Sequence, residues 1–171
     1  MSDSQPERAV LDFLSVHGIP HEVMACDPEF ADTAAFCEKY GVLPEDSANT
    51  IIVASKKDPR QYAACLALAT TRVDVNRTVS RLMSVKRVSF ADATETFALT
   101  GMMAGGVTVF GLPPTIPLLI DSRVMDRSSV IVGGGSRSMK IRIAPPDLLR
   151  IPGASVVEGL AMERAEPPAG G

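Results

Sequence analysis

Residues 100–121, TGMMAGGVTVFGLPPTIPLLID, hold Gly101, Gly105, Gly106 and Gly111, then the pair Pro113-Pro114, then an apolar run ending in Asp121. Helix and strand interiors are not written this way, because each glycine loses backbone entropy there. The segment has to bend sharply or bring its backbone close to something else. Two readings follow. The glycines serve the φ angles of tight turns, or they let several N–H groups converge on an anionic ligand or a developing oxyanion.

The flanking sequence decides what this loop is set in. Val10, Phe13, Leu14 and His17 recur at helical spacing and predict a helix over 6–17, stopped by Gly18. A strand is expected at 21–26, and a second helix over 33–40, with Asp32 or Thr33 at its start and Gly41 at its end. Residues 50–55 and 61–69, joined by the polar turn KKDPR, read as an antiparallel hairpin. Asp74 caps an expected helix through VNRTVSRLM. A strand at 85–90 and a short helix ending at Leu99 lead into the glycine segment. After it come strands at 116–121, 130–132 and 139–143, then a short helix near 147–150. Met139, Ile141 and Ile143 alternate with Lys140 and Arg142, as a half-buried strand does.

Hairpins outnumber strand–helix–strand units. The expected fold is α+β: a mixed, mainly antiparallel sheet curled toward a barrel, with helices packed around it. At 171 residues one domain is expected, over 1–162, with a disordered tail at 163–171. No window approaches a membrane span. The three cysteines, Cys26, Cys37 and Cys65, have no C-x-x-C spacing, which suits a reducing cytoplasm and neither a disulfide framework nor a zinc ribbon.

Familiar catalytic signatures are missing. VIVGGGSRS lacks the helix that a dinucleotide loop needs after its glycines, so Gly133, Gly134 and Gly135 read as a hairpin turn. His17 and His21 are four apart, but Gly18 and Pro20 break any helix between them, so no shared metal is expected. There is no G-x-S-x-G elbow and no triad. Basic residues gather at Arg72, Arg77, Arg81, Lys86 and Arg87, at Lys56, Lys57 and Arg60, and at Arg137, Lys140 and Arg142. Each group is either a phosphate-facing patch or a solvated face.

Taken together, NTIIVAS, AACLALAT, VDVNRTVSRL, VKRVSFAD, TGMMAGGVTVFG, LLID and VIVGGGSRSMKIRIAPPDLL resemble, in order, the YbaK/ProX-type editing domains. These are aminoacyl-tRNA deacylases that act in trans or inside prolyl-tRNA synthetases. The resemblance spans residues 6–151. It implies hydrolysis of the ester that joins a wrong, small amino acid to a tRNA, with no cofactor. The implied partners are mischarged tRNA and an aminoacyl-tRNA synthetase, not DNA or a membrane. Gly101, Gly105 and Gly106 would hold water and the oxyanion, and Asn49 would contact the terminal adenosine or its phosphate. Thr50, Met102, Thr108, Gly111, Asp121 and Gly134 would shape the substrate pocket, and Arg77, Arg81 and Lys140 would meet tRNA. An acid that ends a strand, as Asp121 does, also suits capping of the following turn.

One departure stands out. The family strand begins Lys-Thr, and that lysine is its hallmark; here the pair is Asn49-Thr50. Asparagine hydrogen-bonds but brings no charge. Lys56 and Lys57 lie at the other end of the strand, roughly 20 Å away at about 3.3 Å per residue. Thr108-Val109 likewise replaces the family's serine-proline. The alternative to a deacylase is therefore a catalytically silent module of the same fold that binds tRNA or a synthetase.

Overall fold

The structure, a computed structural model, describes residues 5–164. Helix α1 (Gln5–Val16) buries Val10 and Leu14, and Gly18 at φ 60° ends it. Strand β1 (Glu22–Ala25) follows, then α2 (Thr33–Tyr40), which begins at Asp32 and stops at Gly41 in the left-handed region. The expected hairpin forms from β2 (Ala48–Ser55) and β3 (Tyr62–Leu68), in antiparallel register from Ala48↔Leu68 to Ala54↔Tyr62.

The next segment departs from expectation. A short strand β4 (Thr71–Val73) precedes Asp74, and residues 75–79 form a wide turn with π-type spacing before one turn of α-helix, α3 (Ser80–Met83). Asp74 accepts from the Arg77 N–H as expected. The hydroxyls of Thr78 and Ser80, however, bond to the Gly159 and Asn76 carbonyls, and such bonds offer the backbone an alternative to a regular helix. Strand β5 (Val88–Phe90) is shorter than predicted. Helix α4 (Ala93–Thr100) starts where Asp92 accepts from the Glu95 N–H at 2.8 Å and ends at Gly101, φ 73°.

Beyond the glycine loop come β6 (Leu118–Asp121), β7 (Val130–Gly133) and β8 (Met139–Ile143). The last predicted helix is a 3₁₀ segment, Pro145–Arg150. Two unforeseen strands close the chain, β9 (Ala154–Val157) and β10 (Ala161–Glu163). The expected start of the tail at 163 thus falls inside β10, and Arg164 still donates its N–H to Thr70. Residues 165–171 lie outside the described residues.

A five-stranded sheet, β5-β2-β3-β6-β9, is antiparallel on one side and parallel across β3-β6-β9. A three-stranded antiparallel sheet, β1-β8-β7, faces it, and β4 pairs with β10. A bridge between Ser47 and Ile131 joins the β2 and β7 edges, so the two main sheets curl toward each other. The central core lies between them: Ile52, Ala64, Leu66 and Ile120 from one, Val130, Val132, Ile141 and Ile143 from the other, closed by Val10 and Leu14 of α1. A second cluster, including Val53, Cys65, Val79 and Leu119, packs α3 on the far face of the larger sheet. A third places Phe36 and Cys37 of α2 with Ile131 on the outer face of the smaller sheet. Among the described residues no helix is long and apolar enough to cross a membrane.

Candidate active site

At the junction of the two sheets, the start of β2 and the end of β7 diverge around a cavity of about 270 Å³. Ser47 to Ile51 form one wall, and Ile131 to Gly133 the opposite one. Residues 31–33 and the loop residues Gly105 and Val107 close it, with Lys140 of β8 inside.

The loop wall is built by backbone-to-backbone packing. A Cβ on Gly106 would lie 2.5 Å from the N, C and O atoms of Ser136, and one on Gly134 2.6 Å from the Met139 carbonyl oxygen. A Cβ on Gly133 would collide with the Val107 carbonyl. The Gly135 N–H donates to the Gly106 carbonyl at 2.6 Å. From the other side, Glu7 of α1 hydrogen-bonds the Ser136 hydroxyl. The glycine loop and the glycine hairpin, remote in sequence, are therefore two halves of one wall. Close approach, as much as turn geometry, explains their composition.

The wall leaves some donors free and uses others. Gly101 and Gly106 donate their N–H groups to the carbonyls of Phe97 and Met103, so neither amide is available to a ligand. Among the described residues the amides of Gly105 and Val107, both lining the cavity, have no acceptor. Across from them, Asn49 Oδ1 accepts from the Thr33 hydroxyl at 2.8 Å. That bond orients the side-chain amide and leaves the two N–H donors of Nδ2 unengaged. Thr50 contributes a buried hydroxyl that has no partner among the described residues.

Lys140 differs from its sequence expectation. The alternation along β8 holds, but the face it shares with Ile131 and Met24 is covered by α2 instead of water. Lys140 is only 8% exposed. Its Nζ donates to the Ala31 carbonyl at 2.8 Å and reaches the Gly105 carbonyl at 3.4 Å, with the Phe36 ring centroid 5.3 Å away. Burial pulls its pKa down, although the neighbouring thiols of Cys26 and Cys37 and the carboxylate of Asp32 favour the charge. Asp32 is itself tied to Arg137, Nη1 to Oδ1 at 3.0 Å.

The other candidates are dispersed. Met102 and Thr108 are buried behind the loop, the Thr108 N–H against the Met102 sulfur, and neither lines the cavity. Gly111 is exposed at φ 86° on the far stretch of the loop. Gly134 is packed inside the hairpin. Asp121 is wholly buried away from the cavity and has the capping role: it accepts from the N–H groups of Arg123 and Ala161. Arg77 and Arg81 are exposed beside α3, on the far side of the larger sheet. Sequence reasoning did not find Thr33, Val107 or Ser47; nothing local in the chain marks them, and only the closure of the sheets brings them together. Among the described residues, no cluster of three His, Cys, Asp or Glu side chains forms.

Known proteins share this architecture. The family model of the aminoacyl-tRNA editing domain matches residues 27–151. The crystal structure of a hypothetical protein, APE2540, superimposes with a TM-score of 0.81 at 25% identity, covering 90% of this chain and 99% of that one. A proposed trans-editing enzyme for prolyl tRNA synthetase gives a TM-score of 0.79 at 22% identity, over 92% of this chain and 98% of its own. A scaffold used for grafting linear epitopes gives 0.78 at 22% identity, over 91% and 97%.

Proposed function

This chain belongs to the aminoacyl-tRNA editing domain family, and we propose that it is a trans-acting deacylase, hydrolysing the ester of a small amino acid mischarged onto tRNA. The observation that carries this reading is that three residues lining one cavity keep unengaged donors among the described residues: the Gly105 and Val107 amides and the Asn49 Nδ2 group. Donors without acceptors suit a carbonyl oxygen, and suit it better once it becomes an oxyanion.

An aminoacyl ester is activated, so placement and charge stabilisation supply most of what hydrolysis needs. Water adds to the carbonyl carbon, and the carbonyl electron pair moves onto oxygen. Collapse then expels the ribose oxygen, which takes up a proton and leaves the amino acid as its carboxylate. The lining contains one carboxylate, Asp32, and it is paired with Arg137. The substrate's own amine or neighbouring ribose hydroxyl is thus the better acceptor for the water's proton. Likeness in fold to a proposed trans-editing enzyme supports action on free mischarged tRNA.

Deacylation of a panel of tRNAs charged with small amino acids tests this, with wild type run beside Asn49→Lys. Turnover by wild type on at least one member is expected, and none across the panel would sink the proposal. Asn49, where the family carries lysine, favours a second reading: a silent module that holds tRNA ends or a synthetase. That reading predicts salt-sensitive tRNA binding without hydrolysis, and activity only in Asn49→Lys.

A further inference from the structure

Lys140 sits in the cavity in an unusual state for a buried ammonium. Among the described residues no carboxylate forms an ion pair with its Nζ; the nearby Asp32, which favours the charge from a distance, is paired with Arg137. Among the described residues its hydrogen-bond acceptors are two backbone carbonyls, Ala31 at 2.8 Å and Gly105 at 3.4 Å. An ammonium has three donors, so one is left over. A charge held out of water without a counter-ion is costly, and a fold with no use for it would be served as well by an apolar side chain. The Gly105 carbonyl that steadies the ammonium belongs to the residue whose own N–H is unengaged. Lys140, Gly105, Val107 and Asn49, each with an unengaged donor among the described residues, line one small space.

We propose, resting on the deacylase reading, that Lys140 supplies the positive charge of this site: its ammonium stabilises the tetrahedral oxyanion formed when water attacks the aminoacyl ester. Asn49 on the facing wall has no charge to give, and Lys140 meets the same cavity from β8. Lys140 and Asn49 then divide the work. The ammonium answers charge that develops only during reaction, whereas the neutral amide of Asn49, held by Thr33, positions the ground-state ester.

The test separates this role from a tether that merely joins residues 31 and 105. Lys140→Gln keeps an N–H donor for the Ala31 carbonyl and removes the charge; Lys140→Met removes both. Two uncleavable analogues of aminoacyl-adenosine are titrated alongside turnover, one with a planar amide and one with a tetrahedral anionic phosphonate. Wild type is expected to prefer the phosphonate. Lys140→Gln, melting as wild type does, is expected to lose that preference and about 10²–10³ in kcat, with KM little changed. Adding Asn49→Lys to Lys140→Gln should recover part of the loss. Retention of kcat by Lys140→Gln, a change in KM alone, or an unaltered phosphonate preference would overturn the assignment. Absence of turnover by wild type overturns the deacylase reading. A phosphonate preference that still depends on Lys140 would then support the anion site, and its absence would remove that as well.

Discussion

Two of the molecule's cavities are opposite in character. The one between β2 and β7 is small, about 270 Å³, and is walled by backbone amides, Asn49, Thr50 and Lys140. The other, about 680 Å³, lies between the start of β3, α3 and the loop at residues 113–117, and is lined by Leu82, Met83, Leu99, Ile116 and Leu119. Its one charged lining group is already paired: Arg60 forms a forked pair with Glu95, and the Tyr62 hydroxyl donates to the same carboxylate at 2.8 Å. Volume favours the second cavity as a site. Unengaged hydrogen-bonding capacity favours the first, and for an ester substrate it is capacity that decides. A larger, mostly apolar hollow whose arginine is already paired has less to offer a developing charge.

The harshest way to break this contrast is to dismantle the wall of the smaller cavity. Gly106→Ala sets a methyl group 2.5 Å from the Ser136 backbone, where no flexible side chain can yield. A loss of roughly 3 kcal/mol is expected, at the upper end of overpacking effects, read as a lowered denaturant midpoint. Gly101→Ala meets nothing within 4 Å and only strains a left-handed φ of 73°, so a loss of about 1–2 kcal/mol is expected. Equal losses would mean that the two glycine loops do not pack as described.

The pH dependence of turnover sharpens the comparison next. Cys26, Cys37, Asp32 and Arg137 face Lys140 from the elements packed on it, and burial lowers its pKa. If the protonated form acts, kcat falls as pH rises through that lowered value, before an ordinary lysine would titrate. Lys140→Arg, whose guanidinium stays charged, should flatten this limb. Stability should move the opposite way over the same range. The unfolded chain binds the Lys140 proton more tightly, so this group's contribution rises with pH between the lowered pKa and the usual 10.5.

Tyr62→Phe examines the larger cavity. It removes one half-buried hydrogen bond, about 1 kcal/mol, and should leave kcat and KM unchanged; altered kinetics would make the larger hollow part of the site. The smallest effect belongs to the exposed arginines. If Arg77 or Arg81 contacts tRNA phosphate, neutralising either should lower the slope of log affinity against log salt by roughly 0.7–0.9, and an unchanged slope marks a solvated face.

Regular elements with strong local signals were legible in the chain. The alternation through Met139–Ile143 gave β8 to the residue, the short helix expected up to Leu99 is α4, which runs one residue further, and the KKDPR turn set the β2–β3 hairpin. Strands β4, β9 and β10 escaped because TRV, ASVV and AME carry neither an apolar run nor a clear alternation, and what makes them strands is a partner remote in sequence. The site was half legible for the same reason. Asn49, Thr50, Gly105 and Lys140 were singled out and do share the cavity. A two-residue period says which side of β8 Lys140 takes, but only α2 and the glycine loop decide that this side is closed.

The strand order also has a bearing on biosynthesis. β9 adds parallel to β6, β10 pairs with β4, and the buried Asp121 carboxylate relies on the Ala161 N–H from forty residues downstream. Every partner of the last two strands is made before they are. A ribosome-bound chain that has not yet released β9 and β10 holds the β6 edge of its larger sheet open, β4 without its partner and an acid awaiting its donor. The domain is thus expected to remain open to chaperones through nearly all of its translation and to lock only as its final strands emerge.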